Sequence, residues 1–138
     1  MPSGAFMNGM DVTEVLAIHQ LIALYGHIID ECEWDRLGEL FTDDLVFDTT
    51  SFEGGGVTKG LAALSAQWVH PDTRHPLAHH ATNIVVTALD GDTAHVISKG
   101  IGVGRNGRVG SVTYRDIMRK GPGGWRIARR VARLRSAG

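Results

Sequence analysis

The residues of this chain best suited to moving protons are one acid, one tyrosine and a scatter of histidines. Asp30 follows directly on Tyr25-Gly26-His27-Ile28-Ile29 and closes an apolar run. The C-terminal end of a helix carries partial negative charge, so a carboxylate there is unfavourable unless a donor or a cation meets it. The histidines on offer are His19, His27, His70, His75, His79, His80 and His95. His27 stands one helical turn before Asp30 and Glu31 and reads as a local surface pair. His70 and His75 sit in the loop HPDTRHP and read as exposed. His79 and His80 open a long extended segment, and adjacent strand residues point to opposite faces, so one of them faces inward and could meet Asp30. A carboxylate accepting the imidazole N–H fixes the tautomer and raises the basicity of the other nitrogen, which can then take or give a proton. The plainer alternative is a hydrogen-bonded core histidine.

Other motifs carry less. His79-His80 adjacency on a strand does not bring two rings to one metal, and the chain has no cysteine pair, so neither a metal site nor a cofactor is expected. Cys32 has no identifiable base at fixed spacing and reads as a small residue near the helix end. Gly102-Val-Gly104-Arg-Asn-Gly107 matches G-x-G-x-x-G, but that motif must open a helix and this one runs into a strand. Gly100, Gly102 and Gly104 share one strand face, which suggests a bend in the sheet or room for a ligand. Tyr25 could donate a hydrogen bond to a substrate oxygen, although a tyrosine on an apolar helix face is usually core. Trp34, Trp68 and Trp125 read as core by default.

The elements that must position these residues follow from pattern. Asp11-Val-Thr-Glu14 resembles a capping box, and Val15, Ile18, Leu21, Ile22, Tyr25, Ile28 and Ile29 then recur at helical intervals. A short second helix is expected over 35–41, Thr42-Asp43-Asp44 as a turn, and Leu45 to Thr50 as a strand. Gly54-Gly55-Gly56 marks a loop, after which Thr58 could cap a third helix through Val69. Strands are expected over 77–89, 93–104, 109–118 and 125–134. The turns between them are Asp90-Gly91-Asp92, Arg105-Asn106-Gly107 and Gly121-Pro122-Gly123-Gly124. That is a four-stranded antiparallel meander after a helical first half, an α+β chain. Long antiparallel strands twist, so a bent sheet wrapped around the helices would form a cone with a pocket between its layers.

A length of 138 residues with 43% hydrophobic and 21% charged side chains fits one globular domain, bounded here at 11–134 with a loose leader at 1–10 and a tail at 135–138. No run of apolar residues approaches the ~20 of a membrane span. The first ten residues lack the basic and apolar regions of a signal peptide. A single cysteine excludes an intrachain disulfide and suits a reducing compartment, so a cytoplasmic location is expected, with no membrane partner. The net charge of −1 gives no overall attraction to nucleic acid. Arg115, Arg119, Lys120, Arg126, Arg129, Arg130, Arg133 and Arg135 crowd the last quarter, but they alternate with apolar residues and read as the solvated face of a sheet.

Four stretches together resemble a known family: Asp30-Glu-Cys-Glu-Trp34-Asp35-Arg36-Leu37, Phe41-Thr-Asp-Asp44, His79-His-Ala-Thr-Asn83 and Gly124-Trp125-Arg126-Ile127. Their order and spacing are similar to the SnoaL-like branch of the nuclear-transport-factor-2-like superfamily, over roughly residues 11–134. Members include scytalone dehydratase, bile acid dehydratase, a dehydrochlorinase and polyketide cyclases. The resemblance implies the cystatin-like cone, a strongly curved antiparallel sheet wrapped around N-terminal helices. It also implies a catalytic Asp at the end of the first helix and a His four residues before the Asn83 position, which selects His79 over His80. A tyrosine five residues before the Asp, as in the bile acid enzyme, matches Tyr25. Ile29 and Thr49 stand where scytalone dehydratase has tyrosines, and Gly102 to Gly104 where relatives carry a further His or Asp, so this is not a scytalone dehydratase. The dehydrochlorinase's additional cation has no clear counterpart.

The expectation is therefore a cofactor-independent lyase or isomerase, of dehydratase, isomerase or cyclase type. Its substrate would be an apolar cyclic small molecule such as a steroid, terpenoid or polyketide. His79, Asp30 and Tyr25 would be catalytic, and Trp34, Thr49, Trp68 and Gly102 would contact substrate. The alternative on the same fold is a noncatalytic small-ligand-binding or assembly subunit. A homodimer or homotrimer is expected by analogy.

Overall fold

The structure is a computed structural model that describes residues 9–136. Most of the expected leader lies outside them, although Met10 is half-buried against the core. Helix α1 (Val12–Asp30) starts on Asp11, whose carboxylate accepts the Thr13 N–H at 2.8 Å. Glu14 does not complete the expected capping box. It accepts instead from Lys120 Nζ and Trp125 Nε1, each at 2.7 Å, and so ties the helix start to the last hairpin. All seven apolar positions of the expected stripe are buried. By length and hydropathy α1 could cross a membrane, contrary to the expectation that no stretch comes close. Its buried stripe faces the sheet, while Val12 and Leu16 on the same helix stay exposed.

The helix ends in a turn made by Cys32, which adopts φ 55°. The Cys32 N–H donates to Ile29 O at 3.0 Å and the Glu33 N–H to Ile28 O at 2.9 Å, which is the Schellman pattern. The expected short second helix is a 3-10 helix, Trp34–Glu39. Strands β1 (Phe41–Asp48) and β2 (Val57–Lys59), helix α2 (Leu61–Val69), and strands β3 (Ala78–Asp90), β4 (Thr93–Val103), β5 (Val109–Gly121) and β6 (Gly124–Leu134) follow. The six strands form one sheet in the order β2-β1-β6-β5-β4-β3. The expected meander is present, with Gly91, Gly107 and Gly124 supplying positive φ at its three turns.

Three readings of the sequence need correction. Thr42-Asp43-Asp44 is not a turn between elements, because β1 begins at Phe41 and pairs in parallel with β6. The register slips between Phe41 and Val46, and the polar triplet is the slack. Thr58 lies in β2 and caps nothing; Gly60, at φ 93°, leads into α2. The third correction concerns the basic strand β6. Ile117 pairs with Arg129 and Met118 with Ile127, which leaves Ala128 as an extra residue. Below this bulge the inward residues are Trp125 and Ile127; above it they are Arg130 and Ala132. A one-residue bulge reverses which side chains face the core. Arg130, expected in solvent, is therefore fully buried.

Strand β3 has register shifts between Thr82 and Val85 and between Val86 and Ala88. Asn83 occupies the first with φ 53°. These bulges bend β3 across α1, which packs beneath it.

Candidate active site

Gly26 explains how closely α1 and β3 approach. A Cβ at this position would overlap the backbone carbonyl oxygen of His79. With no side chain there, the start of β3 lies directly on the last turns of α1, one turn from Asp30. Asp30 then meets His79 twice: Oδ2 accepts the His79 backbone N–H at 3.0 Å, and Oδ1 lies 2.6 Å from Nδ1 of the ring. A carboxylate accepts, so Nδ1 carries the hydrogen and Nε2 is the lone-pair nitrogen. Nε2 makes no hydrogen bond among the described residues. The two side chains keep 16% and 21% of their exposure, enough for a ligand to reach the ring. His27, the alternative partner, is exposed and pairs with neither Asp30 nor Glu31.

His79 borders a cavity of ≈ 830 Å³ between the helices and the inner face of the sheet. Such a volume lies within the ~300–1,000 Å³ usual for small-molecule sites. Tyr25, Phe47, Trp68 and Tyr114 supply aromatic wall, and Gly102 lies opposite Pro76. Thr49 is also on the wall, but its hydroxyl exchanges hydrogen bonds with Gly56 O and N at 3.1 and 3.2 Å. Trp34 is not on the wall. It sits behind it, its ring 4.9 Å from that of His75 and 6.3 Å from that of Trp68. His75, read from its loop as exposed, is half-buried on the wall with Nε2 held 2.9 Å from Trp68 O. Among the described residues no three His, Cys, Asp or Glu side chains are placed to share a metal ion.

Tyr25 contacts both His79 and Arg130. Its ring is edge-on to His79 at 5.9 Å and has the Arg130 guanidinium 4.5 Å from its centroid. Burial holds the Tyr25 phenol well above its ordinary pKa, and nearby Tyr114 adds to this while Arg130 opposes it. The hydroxyl is thus a neutral donor. Arg130, Asp116 and Tyr114 were not singled out from sequence. One signal was present: Asp116 falls in the inward row of β5 with Val112, Tyr114 and Met118, and a buried acid needs a partner. Arg130 Nε and Nη2 each donate to Asp116 at 2.8 Å. Burial works against the guanidinium's charge, but Asp116 more than offsets it and raises the Arg130 pKa. Gly100 leaves room for the Tyr114 ring, which a Cβ there would overlap.

Comparison with known proteins gives the same architecture. A family model described as the SnoaL-like domain matches residues 10–131. No curated protein matches the chain. Among solved structures, a Novosphingobium aromaticivorans protein provisionally named an aromatic ring hydroxylase is 29% identical, with TM-score 0.77 and coverage of 91% of this chain and 92% of that one. A Mycobacterium tuberculosis protein of unknown function is 28% identical, with TM-score 0.75 over 89% of this chain and 72% of that one. A further N. aromaticivorans protein, described as NTF2-like with a cystatin-like fold, is 26% identical, with TM-score 0.74 and 94% coverage of both chains.

Proposed function

The chain belongs to the SnoaL-like domain family, which points to isomerase- and dehydratase-type chemistry, and on that premise we propose that it is a cofactor-independent lyase or isomerase acting on an apolar cyclic small molecule. The observation that carries the reading is the double grip of Asp30 on His79, which leaves Nε2 unpartnered beside an aromatic-walled cavity. In this mechanism Nε2 removes a proton from a carbon acidified by a neighbouring carbonyl. The imidazolium so formed keeps its Nδ1–H on Asp30, whose negative charge stabilises it. The electron pair of the broken C–H bond moves toward the carbonyl oxygen, and Tyr25 donates a hydrogen bond to that oxygen. The proton on Nε2 then returns either to a different carbon, completing an isomerisation, or to a departing hydroxyl, which leaves as water. Keto steroids, keto terpenoids and cyclic polyketides carry such carbonyls on their rings.

The test is proton exchange in deuterium oxide with a panel of enolisable cyclic ketones, followed by mass spectrometry. His79→Ala should lower the enzyme-dependent exchange by ~10²–10⁴, the usual contribution of one positioned acid–base group. Exchange that survives this substitution would rule out His79 as the base. A ketone that binds the wild-type cavity without any His79-dependent exchange would instead assign the site a noncatalytic binding role.

A further inference from the structure

The inner face of the sheet holds more charge than the proposed proton transfer uses. Arg130 and Asp116 are both fully buried and joined by two parallel hydrogen bonds. Replacing such a pair with well-packed apolar residues is often neutral or stabilising, so it is a poor device for holding a fold together. Its surroundings suggest another use. The guanidinium carbon lies 3.9 Å from the ring centroid of Tyr114 and 4.5 Å from that of Tyr25, and both tyrosines line the cavity. The third guanidinium nitrogen, Nη1, is buried and has no hydrogen-bond partner among the described residues. A cation is therefore stacked against two cavity-wall phenols, one of which, Tyr25, also meets the His79 ring edge-on at 5.9 Å.

We propose that Tyr25 and Tyr114 form a subsite for an oxygen that bears or develops negative charge, and that Arg130, fixed by Asp116, is the positioning residue that makes the subsite favourable. Its ligand class is a flat ring system carrying a phenol, an enol or an enolisable carbonyl. The aromatic wall stacks the ring and the two hydroxyls receive its oxygen. A cation against the ring faces draws electron density from both phenols and strengthens them as donors. In the dry interior its field also reaches the bound oxygen with little screening. Burial keeps both phenols protonated, so they donate rather than carry the charge themselves. This inference deepens the proposed function, since a carbon acid losing its proton to His79 places its charge on such an oxygen.

The test uses β-naphthol, whose neutral and ionised ground states have different absorption bands, and it needs no turnover; it can therefore fail or succeed independently of His79 as base. The full chain is compared with the double variant Arg130→Met/Asp116→Leu, which removes both charges together, and with Tyr114→Phe, which keeps the ion pair. Wild type should bind β-naphthol and raise its ionised fraction at fixed pH. The double variant should lower the ionised-to-neutral ratio of the bound probe on the order of tenfold, the equivalent of one pKa unit. Tyr114→Phe should lower it in the same direction while its unfolding midpoint stays near that of wild type. If wild type does not bind the probe, or both variants bind it with an unchanged ratio, the subsite does not exist and the Arg130–Asp116 pair is structural only.

Discussion

Replacing Gly26 with alanine separates two opposing effects whose sizes can be worked out. Gly26 lies inside α1, where alanine is ordinarily favoured over glycine by ~1 kcal/mol. On local grounds Gly26→Ala should stabilise the protein. The added methyl, however, would overlap the backbone carbonyl oxygen of His79. To restore an ordinary carbon–oxygen contact of about 3.3 Å, β3 must lift from the helix by roughly 0.9 Å. Overpacking of this kind costs about 1–3 kcal/mol, so the net effect is destabilising despite the gain in propensity. The same shift falls on the His79 N–H bond to Asp30, now 3.0 Å, and would carry it beyond hydrogen-bond range. Misplacement of about 1 Å can lower catalysis ~10²-fold. Two measurements need no substrate: urea unfolding, and the proton NMR signal of the His79 Nδ1–H, which a 2.6 Å contact to a carboxylate should move far downfield. Gly26→Ala should unfold at lower urea and lose or shift that signal. Gly102→Ala is the control, because its Cβ would meet Pro76 at an unstrained 3.7 Å. A Gly26→Ala protein that gains about 1 kcal/mol and keeps the signal would refute this account of how α1 and β3 hold the dyad.

Further outcomes follow from the other constraints. Arg130→Met alone leaves the Asp116 carboxylate buried without its partner and should cost about 3–5 kcal/mol, whereas Arg130→Met/Asp116→Leu should lie close to wild type; urea unfolding of both decides. Asn83 adopts φ 53°, so Asn83→Gly should be tolerated, while a β-branched residue such as valine should cost ~1–2 kcal/mol, read as a lower thermal midpoint. The Glu14 carboxyl is held below its ordinary 4.5, first by the Lys120 hydrogen bond and then by Trp125. A depressed folded-state pKa gives stability that is present above the unfolded value and lost as pH falls through the folded one. The difference in unfolding midpoint between wild type and Glu14→Gln should therefore be largest near neutrality and shrink once pH drops below 4.5.

Local chemistry was legible in the sequence wherever one residue dictates one geometry. Asp11 caps α1, Gly91, Gly107 and Gly124 turn the hairpins, and the apolar stripe of α1 faces the sheet. Asp30 was identifiable because an acid at that helix end needs a donor. Its pairing with His79 rather than His80 came from strand parity together with family spacing. The misreadings of strand facing share one physical cause, the loss of register. A period-two pattern predicts facing only while pairing is regular, and β1, β3 and β6 each break it. Thr42-Asp43-Asp44 looked like a turn because it is polar slack within a strand. His75 looked exposed because its loop is rich in proline and polar residues, yet the ring packs at a tilt against Trp34.

The bulge at Ala128 has the widest consequence. Were β6 regular beyond Ile127, Arg129 and Val131 would continue the inward row, and Arg130 would point away from Asp116. Asp116 would then be an unpaired acid in the core, a state costing more than the irregularity itself. The extra residue brings Arg130 to Asp116 and places a cation against the ring of Tyr25, which also contacts His79. At the other end of the site, Asn83 and the bulges of β3 let the strand bend across α1, where Gly26 admits the His79 backbone. An ideally paired sheet could hold the same core, but it would neither bring the base to the cavity nor set the buried cation against the tyrosines of its wall. The catalytic proposal thus depends on the positions where the sheet departs from regular pairing, and removing Ala128 should disturb the site more than deleting a residue from a hairpin tip such as Asn106.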